Sequence, residues 1–325
     1  MPQIDHNAPK FKYRVYWRRD DATNWEIENI ADWKQKELLV PNQPKFTKYR
    51  IRVVAHNQKG EANVAPDEVI GYSGEAEPGE APKNFELKDV VNSRTAVVSW
   101  DPVDPKNMNG FFKGYKILSW TDATGEENQR EIIIRSDATL ASVSSFKPFA
   151  VNYAKVLAFN GAYNGPASNV IRIVTPEGKP GPAEMLQCHA MGSSALLLEW
   201  SPPQEINGIL SGYRIYYAKV EGTEVGALLL REPSIRSNRT TRAKLAGLTP
   251  HSKYRVIIRA TTRAGEGMPY YTDCDTQPQS TERPSMPNFK TSHLRSSSGR
   301  VKIKVTWIPD ITGNPGSHFY VEYRY

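Results

Sequence analysis

The chain has 325 residues, 39% of them hydrophobic, and a net charge of +7 from 42 lysines and arginines against 35 acidic residues. No apolar run reaches the ~18–20 residues that a membrane-spanning helix needs. Much of the positive excess falls after residue 277, so the charge is a weak pointer to a polyanionic partner.

In chain order, Tyr13-Arg-Val15-Tyr-Trp17 opens with the alternation of a strand, which places successive side chains on opposite faces. Tyr49-Arg-Ile-Arg-Val-Val-Ala55 continues it and breaks at a Gly60 turn. Ala96-Val-Val98-Ser-Trp100-Asp-Pro102 is a strand ending in Trp-x-Pro, followed by an aromatic-led strand at Tyr115-Lys-Ile117. Asn152-Tyr-Ala-Lys-Val-Leu-Ala158 then repeats the second pattern. Leu196-Leu-Leu198-Glu-Trp200-Ser-Pro202 and Tyr213-Arg-Ile215 repeat the third and fourth. Tyr254-Arg-Val-Ile-Ile-Arg-Ala260 leads through Gly265 and Gly267 to a return strand at Met268 to Cys274. Val301-Lys-Ile303-Lys-Val305-Thr-Trp307-Ile-Pro309 and Phe319-Tyr-Val321 begin the cycle again.

Ala55, Ala158 and Ala260 stand 103 and 102 residues apart. That period exceeds the ~20–50 residues of a solenoid repeat and suits whole domains of ~100–150 residues. No segment carries a 3.6-residue apolar stripe, and 24 prolines and 22 glycines punctuate the strands. The fold class is therefore all-β, a tandem series of two-sheet β-sandwiches. Trp100, Trp200 and Trp307, with Tyr49, Tyr254, Tyr115 and Tyr213, are the expected core anchors, since each large aromatic can bury ~150–250 Å².

The spacing back from Tyr13 puts the first module's tryptophan before Met1. Residues 1–73 are thus expected to lack two strands, 74–176 and 177–276 to be complete, and 277–325 to be an N-terminal half. Met1 then reads as internal, and the polar residues after it do not form a signal peptide. A half sandwich leaves one face uncovered, so 1–73 and 277–325 are expected to be disordered or aggregation-prone.

Trp-x-Pro, Gly-Tyr-x-Ile at 114–117 and 212–215, and Leu248-Thr-Pro250-x-x-x-Tyr254 together resemble fibronectin type III modules along the whole chain. In that fold the last motif is a tyrosine corner, the hydroxyl bonding back to the backbone. The middle module has Phe146-Lys-Pro148-x-x-x-Asn152 instead, with Tyr153 one residue late and so on the opposite face. It is not expected to make the corner bond. Gly71-Tyr-Ser-Gly-Glu75, Thr175-Pro-Glu-Gly178 and Phe112-Lys-Gly-Tyr-Lys-Ile117 are similar to the membrane-proximal type III array of the neurofascin/neuroglian family. Members of that family are neural cell-adhesion molecules that cross the membrane once, with immunoglobulin domains preceding type III domains.

The resemblance implies an ectodomain fragment on the cell exterior, a spacer and protein-interaction array in adhesion and axon guidance. Its implied partners are other cell-surface or matrix proteins, the same molecule on another cell included, with no cofactor, nucleic acid or small-molecule substrate. A cytosolic mechanical type III array and a ligand-binding receptor ectodomain are the alternatives; the second lacks its Trp-Ser-x-Trp-Ser signature here.

In a type III sandwich the first and last strands share one side, so Cys188 and Cys274 could close the third module with a disulfide. A loop of that length would stabilise by roughly 4–5 kcal/mol on the chain-entropy model. The competing expectation is two free thiols. Asn238-Arg-Thr240 is a glycosylation sequon. Arg231, Arg236, Arg239, Arg242 and Lys244 form the densest basic stretch, a candidate contact for heparan sulfate or acidic lipid, set against the plainer reading of a charge-guarded strand edge. The six histidines are dispersed and no nucleophile, metal or phosphate-binding motif occurs, so the chain is not read as an enzyme. The joints Glu75 to Pro82 and Thr175 to Pro182 are proline-punctuated, which should restrict their conformers.

Overall fold

The computed structural model describes residues 6–279, 286–295, 301–308 and 321–322. Within 12–72, β1 (Lys12–Arg19), β2 (Glu26–Ile30), β3 (Lys48–Asn57), β4 (Gly60–Glu61) and β5 (Glu68–Tyr72) form one antiparallel sheet. Its order is β2-β1-β3-β4, with β5 also beside β3. Of the stretch expected to be disordered or aggregation-prone, residues 12–72 thus hold an antiparallel sheet. One face is only partly covered, with Val15 buried but Val53 56% exposed. Leu38 and Val40, from the irregular segment before β3, line a groove there with Trp17, Tyr49 and Ile51.

The other face is held by charge. Glu68 accepts from Arg50 at 2.7 Å and from Arg52 at 2.8 Å, and Asp20 accepts from Arg50 at 2.5 Å. These hydrogen bonds hold both carboxyls below the usual carboxylate range. The guanidinium groups of Arg18 and Arg52 lie over the Trp25 ring, at 4.9 and 4.1 Å.

The second module contains β6 (Lys83–Val90), β7 (Ala96–Asp101), β8 (Gly114–Thr121), β9 (Arg130–Ile134), β10 (Leu140–Val143), β11 (Val151–Phe159), β12 (Asn164–Ala167) and β13 (Ile171–Val174). They make a three-stranded sheet, β10-β7-β6, and a five-stranded sheet, β12-β11-β8-β9 with β13 beside β11. The third module repeats this with β14 (Glu184–Ala190), β15 (Ala195–Ser201), β16 (Gly212–Glu221), β17 (Glu224–Val225), β18 (Leu229–Leu230), β19 (Arg242–Ala246), β20 (Lys253–Thr262) and β21 (Gly265–Asp275). Its sheets run β14-β15-β19 and β17-β16-β20-β21, with β18 beside β16.

Alternation becomes burial directly. Along Tyr254 to Ala260, every second residue (Tyr254, Val256, Ile258, Ala260) is buried. Trp100 meets Tyr115 edge-on at 5.1 Å and 68°, and Trp200 meets Tyr213 at 5.2 Å and 66°. One tryptophan on the smaller sheet and one tyrosine on the larger thus lock each sandwich in the same geometry. Burial pushes both phenols above the ordinary tyrosine range, opposed by the Val103 backbone and the Trp100 indole at Tyr115, and by the Trp200 indole at Tyr213.

The Tyr254 hydroxyl accepts from the Thr249 backbone N–H at 2.9 Å, a tyrosine corner. In the second module Asn152 is buried at the corner position. Tyr153 turns to the other face and stacks on Trp120 at 6.0 Å, as a one-residue shift requires.

Among the described residues of the last stretch, β22 (Asn288–Arg295) and β23 (Val301–Ile308) form a two-stranded sheet. Trp307 departs from its expected place as a core anchor, being 38% exposed. The two strands by themselves cannot close over an aromatic ring, and Trp307 lines an open groove with Phe289, Val305 and Val321. Pro309, most of the strand expected at Phe319-Tyr-Val321 and residues 280–285 lie outside the described residues.

Candidate functional site

The joints between modules carry the most regular polar structure in the molecule. At the end of each module a hydroxyl reaches back to a corner carbonyl. Ser73 donates to Pro44 O at 2.5 Å, Thr175 to Lys147 O at 2.6 Å and Thr276 to Thr249 O at 2.7 Å. Beside each hydroxyl, a corner residue donates its N–H to a joint carbonyl: Phe46 to Gly74 O at 3.1 Å, Phe149 to Pro176 O at 3.0 Å and His251 to Gln277 O at 3.1 Å. These three corner residues have φ of 40°, 50° and 49°. Left-handed backbone is uncommon for bulky side chains, and its recurrence at one corner in three modules makes it part of the design.

The following module holds the other half of the joint. In the first, Glu75 accepts from Phe111 N at 2.7 Å, Ala76 N donates to Asn109 O at 2.9 Å and Gly79 N to Asn107 O at 2.7 Å. In the second, Glu177 accepts from Ile209 N at 3.1 Å, Gly178 N donates to Asn207 O at 2.7 Å and Gly181 N to Glu205 O at 2.8 Å. The Asn109 amide donates to Glu77 O at 2.7 Å, and the Asn207 amide to Lys179 O at 2.9 Å. From the far sheet the buried Asn160 amide donates to Ala76 O at 2.7 Å, and the buried Thr262 hydroxyl to Gly178 O at 2.8 Å.

The glycine after the first loop asparagine is dictated by space, whereas at the second a Cβ would meet the movable end of a glutamate side chain. A Cβ on Gly110 would come within 2.5 Å of the Asn160 side chain, and one on Gly208 within 2.6 Å of Glu177 Oε2. Phe111 adds an aromatic seat, meeting Phe46 at 4.7 Å and Tyr72 at 5.2 Å.

Sequence reasoning identified these joints by their prolines and missed the residues that dock them. The signal was present. Glu-x-x-Pro-Gly occurs at 75–79 and 177–181, and Asn-Gly followed by an apolar residue at 109–111 and 207–209. Both sets recur near the hundred-residue period already visible in the strands.

Cys188 on β14 and Cys274 on β21 are joined in a disulfide, with Cα atoms 6.0 Å apart, inside the range a bridge requires. Asn238 is exposed in a turn between β18 and β19. The basic stretch around it is not five equivalent cations. Arg231 donates to Lys244 O and Pro233 O, Arg242 pairs with Glu199 at 2.9 Å, and burial lowers the pKa of Lys244. Arg236 and Arg239 are exposed. Among the described residues no group of three His, Cys, Asp or Glu side chains could hold a metal ion. No helix among them is long and apolar enough to cross a membrane.

Two paired-sheet sandwiches with the same aromatic lock and the same docked joint are one module used twice. Residues 80–174 and 180–272 match the profile of the fibronectin type III domain. The chain belongs to this family.

Its type III array is 46% identical, over all of the chain, to Neuroglian of Drosophila melanogaster, covering 25% of that protein. Identity is 31% over 94% of the chain to Neural cell adhesion molecule L1 of Homo sapiens, covering 24% of it. It is 29% over 98% of the chain to Neuronal cell adhesion molecule of Gallus gallus, covering 25%. The array is therefore of the neuroglian/L1 kind, and it spans about a quarter of the length of these relatives. The second and third of these are cell adhesion molecules by name.

Proposed function

We propose that the chain is part of the ectodomain of a neural cell-adhesion receptor, where its type III modules act as a spacer and protein-interaction array in adhesion and axon guidance. The observation that carries this reading is the 46% identity to Neuroglian sustained along the whole chain. In this reading the parent protein crosses the plasma membrane once, and its partners are surface or matrix proteins, a second copy on another cell among them. Two features support an extracellular setting. The Cys188–Cys274 disulfide suits an oxidising compartment, and the Asn238 sequon sits exposed in a turn.

Mass spectrometry of the protein isolated from its native tissue tests the reading. The expected result is a linked Cys188–Cys274 peptide and a glycan on Asn238. Reduced cysteines together with an unmodified Asn238 would overturn it and favour a cytosolic mechanical array.

A further inference from the structure

The route that tension takes through the third module carries an inference independent of what the array binds. The chain enters that module through the joint at 177–182 and β14, and leaves it through β21 and Thr276. Cys188 lies on the entering strand and Cys274 on the leaving one, 86 positions apart in sequence yet 6.0 Å apart between Cα atoms. The two strands belong to different sheets, so the covalent bridge joins the layers where the chain comes in and goes out. A pull on the two ends therefore runs from 177–188 across the bridge to 274–276. The core between them, including Trp200, Tyr213 and Tyr254, carries no load.

The second module has no cysteine. Its exit is fastened by hydrogen bonds such as Thr175 N to Ala150 O at 3.1 Å and Thr175 Oγ1 to Lys147 O at 2.6 Å. Each is a weak non-covalent contact and gives way under load as a covalent bond does not. We propose that the disulfide makes the third module an inextensible link, so that under tension the second module unfolds while the third keeps its fold. The surface it displays, the Asn238 turn included, then persists under load.

Stretching single molecules of the whole chain, held by its ends, tests this. A fully extended residue spans ~3.3–3.6 Å. Unfolding of residues 80–174 should give a contour step of about 310–340 Å, less the folded span. The bridged third module should give no comparable step. Cys188→Ser/Cys274→Ser releases the 86 positions inside the bridge and should add one step of about 280–310 Å, again less the folded span. Should that variant fail to fold, a phosphine reductant applied to the wild-type chain under load must produce the same added step. Full-length steps from both modules in the unreduced wild type, or no added step after either way of opening the bridge, would overturn the proposal.

Discussion

Asn160 offers the sharpest test of the docked joint. Its side chain is 3% exposed. The amide donates to Ala76 O at 2.7 Å and Met108 O at 3.0 Å, while its oxygen accepts from Ala162 N at 3.1 Å and Tyr163 N at 2.8 Å. Asn160→Ala removes all four bonds at once. Each is worth about 0.5–1.5 kcal/mol net, and groups that water cannot reach cost more when left unpaired, so the expected loss is about 2–4 kcal/mol. At ~4–8 °C per kcal/mol for a domain of this size, the second module should melt roughly 8–32 °C lower by calorimetry. Hydrogen exchange should speed up first at 75–79 and 160–163.

Asn160→Asp is the discriminating control. It keeps an acceptor for Ala162 and Tyr163 but turns an oxygen towards two carbonyls, so it should be no better tolerated than alanine. In the third module Thr262 makes the corresponding bond to Gly178 O and accepts only weakly from Ala264 N at 3.3 Å. Thr262→Val should therefore cost less, about 1–2 kcal/mol. An Asn160→Ala loss under about 0.5 kcal/mol, or the reverse order of the two sites, would refute the view that these side chains fasten the joints.

Two further predictions concern the folds themselves. Tyr254→Phe removes the acceptor for Thr249 N and should lower stability by about 1–2 kcal/mol in urea denaturation; Tyr49→Phe, whose hydroxyl bonds only the Gln43 side chain at 2.6 Å, should cost less. In the first sheet, Asp20 and Glu68 have carboxyls held below their usual range by arginine. Their contribution is present above the unfolded carboxylate values near pH ~4 and is lost as pH falls through the lower folded values. Trp25, in contact with Arg18 and Arg52, should report that loss as a fluorescence change on acidification from pH 6 to 2, shifted by added salt. A flat profile would show that the charge ladder does not hold the sheet.

The strands and their period were legible in the sequence because alternation is local. Burying every second residue needs only neighbours on one strand, so Tyr254, Val256, Ile258 and Ala260 announce their face without reference to the rest of the chain. The recurrence of tryptophan and tyrosine was equally plain, since few residues can fill the middle of so small a core. Trp307 shows the limit of that reasoning. The residue type is right and its strand forms, yet burial needs a second layer that no run of alternating residues can supply alone.

Only tertiary structure decided the rest. Glu75 meets Phe111 and Asn160 meets Ala76 across 36 and 84 positions of sequence. These are polar groups in loops and at strand ends, where composition reads simply as solvated chain. What selects their partners is the stacking of two sheets, which brings distant backbone N–H and C=O groups within reach and excludes the water that would otherwise satisfy them. The same stacking separated the basic stretch into paired arginines, a half-buried lysine and the exposed Arg236 and Arg239, a difference that charge counted along the chain does not contain.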